Sequence, residues 1–258
     1  MHIALTIAGS DSGGGAGIQA DLKTFHRFGV FGTSVVTAIT AQNTLGVTSW
    51  RATPVELVRA QIDAVAADLR PAAVKSGMLG DAAVVEAVAA GVRDHRLAPY
   101  VLDPVMVATS GDLLLERTAV RAITDALVPL AALVTPNLDE AEILVGFPVR
   151  DPEAMERAAR ALVERFGAGA ALVKGGHLAG DTTTDVLFDG EAVRYAHARL
   201  TTTSTHGTGC TLSAAVAAAL ARGEPLRAAV GAALDYVHRA IATAPGLGGG
   251  HGPLNHWA

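Results

Sequence analysis

A short segment late in the chain has the residue types of a phosphate site: residues 205–210 are Thr-His-Gly-Thr-Gly-Cys. It leads into an alanine-rich run of strong helix propensity, so Gly207 and Gly209 are predicted to bring bare backbone to the start of a helix. The first N–H groups of a helix lack internal partners and bind anions, phosphate above all. Cys210 lies in the same turn, where a helix N-terminus is expected to lower the pKa of a thiol. The alternative is a glycine-lined helix start with a small residue packed behind it.

The composition excludes several classes of function. The chain has 258 residues, 50% hydrophobic and 17% charged, and a net charge of −5 that gives no reason to expect nucleic acid or an acidic membrane surface as a partner. Its single cysteine excludes an intramolecular disulfide and a multi-cysteine metal site. No apolar run approaches the ~20 residues of a membrane span, and the first apolar run is too short for a signal peptide. We therefore expect a cytoplasmic protein.

Strands and helices are predicted to alternate along most of the chain. The predicted strands are solid apolar runs, as expected when both faces of a sheet are covered. The pattern is typical of the α/β class, with a doubly wound, mostly parallel sheet, and we expect one domain over residues 1–258. Asp189-Gly190 separates two β-rich runs, which predicts a hairpin and hence an antiparallel edge of the sheet.

Ligands of such sheets bind beyond the carboxyl ends of the strands. Lysine and side-chain amides are scarce in this chain, with only three lysines, and they concentrate at these ends. The residues at the predicted strand ends are Gly9, Asp11, Gln42, Asn43, Lys75, Gly77, Met78, Asp103, Asn137, Glu140, Lys174 and Gly175. This clustering favours a functional site at that edge.

The loop after the first predicted strand is rich in glycine, with five glycines in residues 9–17. It does not fit the Gly-x-Gly-x-x-Gly pattern of dinucleotide sites. The Gly-Lys-Ser/Thr phosphate loop is also absent, because none of the three lysines follows a glycine. A loop that closes over a small ligand explains the glycines better than a flexible turn does.

Three further strand-end positions each allow a structural and a functional interpretation. Asn137 and Glu140 form a good capping pair for a helix, but the carboxylate could also hold water on Mg²⁺. Asp103 precedes a proline and could be a turn residue. Lys174 could be a solvated lysine, although the strand before it is wholly apolar.

Together these motifs resemble the ribokinase superfamily, which combines Gly-Thr-Gly at a late helix start with Asn-x-x-Glu and a strand-end lysine. Within it, the chain resembles the hydroxymethylpyrimidine/phosphomethylpyrimidine kinases of thiamine biosynthesis. The segments that carry this resemblance are residues 6–24, 40–44, 75–79, 102–106, 135–138, 173–177 and 205–211. Most of the superfamily has Asp where this chain has Cys210, and the pyrimidine kinases resemble this chain in having Cys.

The resemblance implies an α/β/α fold, ATP as phosphoryl donor, Mg²⁺ and a homodimer. It implies two successive phosphorylations of 4-amino-5-hydroxymethyl-2-methylpyrimidine. The implied pyrimidine pocket is lined by Gly9, Asp21, Gln42, Met78 and Val105. The residues implied at ATP are Lys174, Asn137, Thr208 and Gly209, and those at Mg²⁺ are Asp103 and Glu140, with Asn137 beside them. The amide of Gln42 suits an aminopyrimidine because it offers both a donor and an acceptor.

On this interpretation Cys210 takes the proton of the attacking hydroxymethyl group. The N–H groups of Gly207, Thr208 and Gly209 stabilise charge on the transferring phosphoryl group. Since phosphoryl transfer depends mainly on positioning and charge neutralisation, we expect the anion hole and Mg²⁺ to carry more of the rate than Cys210.

Three alternatives remain open. A pyridoxal kinase of the same superfamily also acts on a hydroxymethyl group of an aromatic nitrogen ring. A cysteine at a helix N-terminus beside His206 could instead be the nucleophile of a hydrolase, which predicts a trapped adduct. A nucleotide-sensing module would bind ATP without forming ADP.

Overall fold

The computed structural model describes residues 1–106, 117–176 and 178–258. Within these ranges the strands form one nine-stranded sheet of order β3-β2-β1-β4-β5-β6-β7-β8-β9. The strands are β1 (Ile3–Ser10), β2 (Phe31–Asn43), β3 (Gly46–Ala52), β4 (Ala73–Ser76), β5 (Tyr100–Leu102), β6 (Leu133–Val134), β7 (Ala171–Val173), β8 (Thr182–Phe188) and β9 (Ala192–Ala198).

The centre of the sheet is parallel and both of its edges are antiparallel. Strands β2, β1, β4, β5, β6 and β7 run parallel, so their carboxyl ends meet along one edge. The predicted hairpin is confirmed, because β8 and β9 pair antiparallel around Gly190, whose φ is +109°. The antiparallel pairing of β3 with β2 adds a second such edge. The predicted mostly parallel, doubly wound sheet is therefore confirmed.

Helices cover both faces of the sheet. They are α1 (Gly17–Arg27), α2 (Val55–Asp68), α3 (Ala82–Asp94), α4 (Arg117–Ala122), α5 (Leu138–Val145), α6 (Pro152–Glu164), α7 (Thr208–Ala221) and α8 (Leu226–Ala242). Helix α4 continues into a π-helical turn, Ile123–Leu127, and a 3₁₀ turn, Val128–Leu130. One hydrophobic core lies under α1, α7 and α8, and the other lies under the remaining helices. This is the predicted three-layer α/β/α sandwich.

The alternation of side chains along the strands supplies both cores. In β1, Leu5 and Ile7 face one core while Ala4 faces the other, because successive side chains point to opposite faces. Helix α7 is buried on nearly all sides, and its alanines let it pack closely between the sheet, α1 and α8. The predicted buried helix after Cys210 is therefore confirmed.

The boundaries differ from the sequence-based predictions in three places. Helix α7 begins at Thr208 rather than after Cys210, so Gly209 and Cys210 belong to its first turn. Strand β2 extends to Asn43 because it continues into the hairpin with β3. The helix predicted for residues 116–127 turns irregular after Ala122 and ends in a turn containing Pro129. The first residue of the predicted helix lies outside the described ranges.

In the described ranges, no helix combines the length and apolarity needed to cross a bilayer.

Candidate functional site

The start of α7 lies at the carboxyl edge of the parallel strands and presents free backbone donors. Within the described ranges, the N–H groups of Gly207, Gly209 and Cys210 donate to no other residue, and all three residues are half-exposed. The N–H of Thr208, by contrast, donates to the carbonyl of Thr205 at 3.3 Å. Of the three N–H groups predicted to form the anion hole, those of Gly207 and Gly209 have no acceptor in the described ranges, whereas that of Thr208 has one. The N–H of Cys210 is a further donor of this kind.

The packing of this turn requires glycine at 207, and glycine at 209 avoids a close contact with Lys174. Gly207 has φ +81°, and a Cβ there would lie 1.9 Å from the carbonyl oxygen of Gly15. A Cβ on Gly209 would lie 3.2 Å from Lys174 Nζ and 3.6 Å from an oxygen of Asp103. Glycine at 207 lets the glycine-rich loop touch the helix start, and glycine at 209 leaves open space in front of Lys174.

Lys174 and Asp103 form a buried ion pair beside that space. Lys174 Nζ lies 3.0 Å from Asp103 Oδ1, and the two side chains are 15% and 2% exposed. Thr135 and Ser213 donate to the two oxygens of Asp103, each at 3.3 Å. Burial alone would lower the pKa of Lys174, but the charges of Asp103 and Glu140 raise it above its usual value. Lys174 is therefore a fixed positive charge next to the free N–H groups.

Asn137 and Glu140 form the capping box of α5. The Asn137 side chain accepts from Glu140 N–H at 2.9 Å, and Glu140 Oε2 accepts from Asn137 N–H at 2.8 Å. The capping interpretation is thus confirmed. The other oxygen of Glu140 accepts only a 3.4 Å bond, from Met106 N–H, in the described ranges. Burial raises the pKa of Glu140 to about 7, against the lowering charge of Lys174.

The thiol of Cys210 does not have the low pKa predicted from its place in the helix. Although part of the Cys210 residue is exposed, its thiol is enclosed by neighbouring atoms. This burial raises the pKa of Cys210 to about 11, and the charge of Lys75 and the N–H of Gly17 lower it less than burial raises it. The prediction of an activated thiol was wrong because it considered the helix terminus and not the burial of the thiol or the nearby charges of Asp21 and Asp103.

Lys75 is a charged residue that the predicted site did not include, although it was noted at a strand end. Its Nζ lies 2.8 and 3.0 Å from the two oxygens of Asp21, which also accepts from Thr6 Oγ1 at 2.6 Å. Both side chains of the ion pair are fully buried. Asp21, predicted in the pyrimidine pocket, therefore lies beneath the surface with its oxygens already occupied.

The other residues predicted at the pyrimidine are grouped around the ends of β1 and β4. A Cβ on Gly9 would lie 3.4 Å from Met78 Sδ, so the two are in contact. Thr37 Oγ1 fixes Met78 by donating to its carbonyl at 2.6 Å. Val105 lies two residues after Asp103 and donates its N–H to the Asp103 carbonyl at 2.9 Å. Met78 and Val105 are half-exposed, so their side chains are open to a ligand.

The glycine-rich loop is folded around Asp11. The Asp11 carboxylate accepts from the N–H groups of Gly13, Gly15 and Ala16 at 2.8 to 3.0 Å, and from His206 Nε2 at 2.9 Å. Burial alone would raise the pKa of Asp11, but these hydrogen bonds hold it below its usual value. Asp11 was noted at a predicted strand end and His206 beside Cys210, but neither was predicted to be a site residue of the kinase. Their signals were an aspartate inside a glycine-rich loop and a histidine inside the phosphate segment.

A sequence model of the family described as phosphomethylpyrimidine kinase matches residues 11–255. The chain is also 55% identical over 259 residues to the hydroxymethylpyrimidine/phosphomethylpyrimidine kinase of Rhizobium meliloti, which covers 99% of this chain and 97% of that relative. The chain belongs to the phosphomethylpyrimidine kinase family. The family resemblance drawn from the motifs is confirmed, and the family is one of phosphotransferases.

Solved structures of this family and of a related kinase share the fold. Phosphomethylpyrimidine kinase from Clostridium difficile superposes with a TM-score of 0.83 at 38% identity, covering 93% of this chain and 100% of that one. Bacillus subtilis pyridoxal kinase, solved as an ADP complex, gives a TM-score of 0.93 at 37% identity, covering 99% and 97%. Membership of a kinase family favours the kinase interpretation over a cysteine hydrolase or a binding module.

Proposed function

We propose that the chain transfers the γ-phosphoryl group of ATP to 4-amino-5-hydroxymethyl-2-methylpyrimidine, and then phosphorylates the monophosphate. The observation that carries the proposal is a row of N–H groups at Gly207, Gly209 and Cys210, which have no acceptor among the described residues and lie at a half-exposed turn beside Lys174. Such a row stabilises negative charge on a transferring phosphoryl group without reorganising. The family match supplies the pyrimidine as the acceptor.

The nucleotide side is supported by a cavity whose lining includes the segment just before Thr205. The cavity has a volume of about 460 Å³ and is lined by residues 200–204 together with Ile241, Ala242, Ala244 and Gly246. We propose that the nucleotide base binds in this cavity and that its phosphates extend to Thr208 and Gly209. Lys174 would meet the phosphates as a positive charge, and Asn137, paired with Lys174 as a short β-bridge, lies next to it. The ADP complex of the B. subtilis relative supports a nucleotide in this fold.

The pyrimidine side is supported by Gly9, Gln42, Met78 and Val105 along the ends of β1, β2, β4 and β5. Gly9 is buried against the sulfur of Met78, and the half-exposed Met78 side chain would offer an apolar contact to the ring. Gln42 is half-exposed and supplies an amide that can pair with the amino group and ring nitrogen of an aminopyrimidine. Asp21 would act indirectly, by holding Lys75 beneath the pocket, rather than by contacting the pyrimidine as predicted.

The residues proposed for Mg²⁺ fit its chemistry. Asp103 follows β5, and Glu140 lies in the first turn of α5, which follows the neighbouring strand β6. Both carboxylates are buried, and Mg²⁺ prefers oxygen ligands. No cluster of three His, Cys, Asp or Glu side chains that could hold a metal occurs among the described residues. Two carboxylates, those of Asp103 and Glu140, are enough for Mg²⁺, because this ion keeps several waters and takes its other ligands from phosphates. When bound, the ion would neutralise charge on the phosphate oxygens.

The protein groups at the site have two proposed roles in phosphoryl transfer, which are binding the phosphates and accepting the proton of the hydroxymethyl group. Lys174 and the free N–H groups hold the phosphates and exclude other orientations, which is most of what phosphoryl transfer requires. The hydroxymethyl group loses its proton as it attacks the γ-phosphorus, and Cys210 is proposed to accept that proton. With a pKa of about 11, roughly one Cys210 thiol in a thousand is ionised at pH 8, so the thiol contributes less than the anion hole.

Pyridoxal phosphorylation is the second candidate, because the structure superposes closely on a pyridoxal kinase. The two solved structures are 38% and 37% identical to the chain and do not separate the substrates. The matching family and the relative at 55% identity are both named for a pyrimidine substrate, which favours the pyrimidine over pyridoxal as the acceptor.

A coupled assay of ADP release tests the proposal. The purified chain is given ATP and Mg²⁺ with the hydroxymethylpyrimidine, its monophosphate or pyridoxal. We expect kcat/KM to be highest for the pyrimidine, with further ADP release from the monophosphate. ATP binding without ADP release from any acceptor would contradict a kinase, and equal or faster turnover of pyridoxal would replace the proposed acceptor.

Substitution of Cys210 by alanine should lower kcat about 100-fold, the low end of the range for a lost general base. The loss is limited because the backbone N–H of residue 210 is retained and the thiol is mostly protonated at neutral pH. If the thiolate accepts the proton, the wild-type kcat should rise with pH between 7 and 9.5 as more thiol ionises. Log kcat of the alanine variant should be flat over this range. An equal pH slope in both proteins would show that another group accepts the proton.

We also propose a homodimer, in line with the family resemblance. Strand β3 lies at the edge of the sheet and all seven of its residues are exposed, including Val47 and Trp50. Light scattering coupled to size-exclusion chromatography tests this proposal, and a mass near 26 kDa would contradict it.

A further inference from the structure

His206 Nε2 has two polar neighbours that constrain where its hydrogen is. It lies 2.9 Å from Asp11 Oδ2 and 3.4 Å from Nε2 of Gln42. An ionised carboxylate only accepts hydrogen bonds, so His206 Nε2 must carry a hydrogen and donate it to Asp11. The same nitrogen therefore cannot accept a hydrogen bond from the Gln42 amide.

The hydroxyl of Thr40 constrains the other end of this amide. Thr40 Oγ1 donates its hydrogen to the Ser10 carbonyl at 2.8 Å and lies 3.3 Å from Oε1 of Gln42. With its hydrogen used, the Thr40 oxygen can only accept a second bond. An amide turned by 180° satisfies both contacts: its NH₂ group donates to Thr40, and its oxygen accepts the longer branch of a three-centre bond from the single Nε2 hydrogen of His206, whose shorter branch goes to Asp11.

We propose that His206 is a positioning residue that, with Asp11 and Thr40, locks the Gln42 amide in this one orientation and so determines which heterocycle the site accepts. The free edge of the amide then presents an acceptor and a donor in fixed order. The amino group of an aminopyrimidine and its adjacent ring nitrogen present a donor and an acceptor in turn, which is a complementary pair. This inference rests on the proposed function, since it takes Gln42 as a contact of the pyrimidine.

The surroundings of His206 make it suited to this role. Its side chain is 11% exposed, and Asp11, its partner, is held by three backbone N–H groups of the glycine-rich loop. Its own backbone N–H donates to the Gly252 carbonyl at 3.1 Å. Because His206 directly precedes Gly207, the residue that orients Gln42 is also continuous with the anion hole.

A double-mutant cycle tests the coupling between His206 and Gln42 in the full chain, with KM for the pyrimidine and for ATP measured separately. His206→Leu removes the donor and should raise KM for the pyrimidine about tenfold, while KM for ATP changes less than twofold. His206→Gln can still donate a hydrogen bond and should stay within about threefold of the wild type. The double variant His206→Leu/Gln42→Ala should be no more than twofold worse than Gln42→Ala alone, because His206 acts through Gln42. The proposal would be overturned if the increases in KM of the two single variants multiplied in the double variant. An equal rise in KM for ATP would also overturn it, since it would indicate a general structural role.

An NMR measurement tests the network without turnover. Long-range ¹H–¹⁵N correlation spectra, with the His206 signals assigned from the His206→Gln variant, report which ring nitrogen carries hydrogen. We expect Nε2 of His206 to be protonated, and an Nδ1-H tautomer with a bare Nε2 would overturn the locked orientation. A wild-type protein that shows the expected tautomer but does not turn over the pyrimidine would refute the proposed function, and the specificity role of His206 with it, while leaving the hydrogen-bond network in place.

Discussion

Replacing Lys174 by methionine should lower kcat/KM for ATP about 1,000-fold, equivalent to about 4 kcal/mol of transition-state stabilisation. Its ammonium group is the fixed charge beside the space that Gly209 leaves open, and its pKa is raised by Asp103 and Glu140, so it is positively charged throughout the working pH range. The loss should fall on ATP and leave KM for the pyrimidine within about threefold. Steady-state kinetics with each substrate varied in turn measures both quantities.

Two matched variants separate this role from a general effect of charge or folding. Lys174→Arg keeps the charge but puts a larger group into the space beside Gly209, where a Cβ would already lie 3.2 Å from Lys174 Nζ. We therefore expect an intermediate rate. Arg157→Met removes a positive charge from an exposed position on α6 and should have wild-type kinetics. A Lys174→Met protein that keeps its rate within fivefold of the wild type would show that Lys174 does not meet the phosphates.

The sequence was most informative where topology alone brings residues together. Asp103, Asn137 and Lys174 are far apart in the chain, but each follows a parallel strand, and parallel strands end along one edge. That rule predicts that Lys174 and Asp103 lie at the same edge, and the structure shows in addition that they pair at 3.0 Å. The resemblance of the motifs to a kinase family, which the comparisons confirm, added roles that the spacing alone left open.

Properties that depend on the surroundings of a group could not be read from the sequence. The pKa of Cys210 is raised because burial outweighs the helix terminus, and the extent of burial is a result of packing. The N–H of Thr208 donates to the Thr205 carbonyl in the turn before α7, and the sequence did not show that this turn would form. The hydrogen bond between Asp11 and His206 joins residues 195 positions apart in two loops, and no strand-end rule brings them together.

Lys75→Met should destabilise the folded protein by about 3–5 kcal/mol, the usual cost of leaving one member of a buried ion pair without its partner. For a chain of this size that corresponds to a fall in Tm of roughly 6–20 °C, measured by calorimetry. Burial already favours the neutral form of Asp21, and Lys75 is the main opposing charge. Without Lys75 the folded-state pKa of Asp21 therefore lies above its unfolded value. The Tm deficit should then be smaller at pH 5 than at pH 8, because the penalty grows as pH rises through the folded pKa.

The double variant Lys75→Met/Asp21→Leu decides what Asp21 contributes to the site. It removes both charges from a location where neither side chain is exposed, so most of the lost stability should return. If Asp21 acts only from beneath the pocket, the double variant should keep KM for the pyrimidine within about threefold of the wild type. A rise of tenfold or more in that KM, at restored Tm, would show that Asp21 turns outward to contact the substrate, as the family resemblance implies. Arg150→Met, which breaks an exposed ion pair with Asp139 and Glu142, is the control and should leave Tm nearly unchanged.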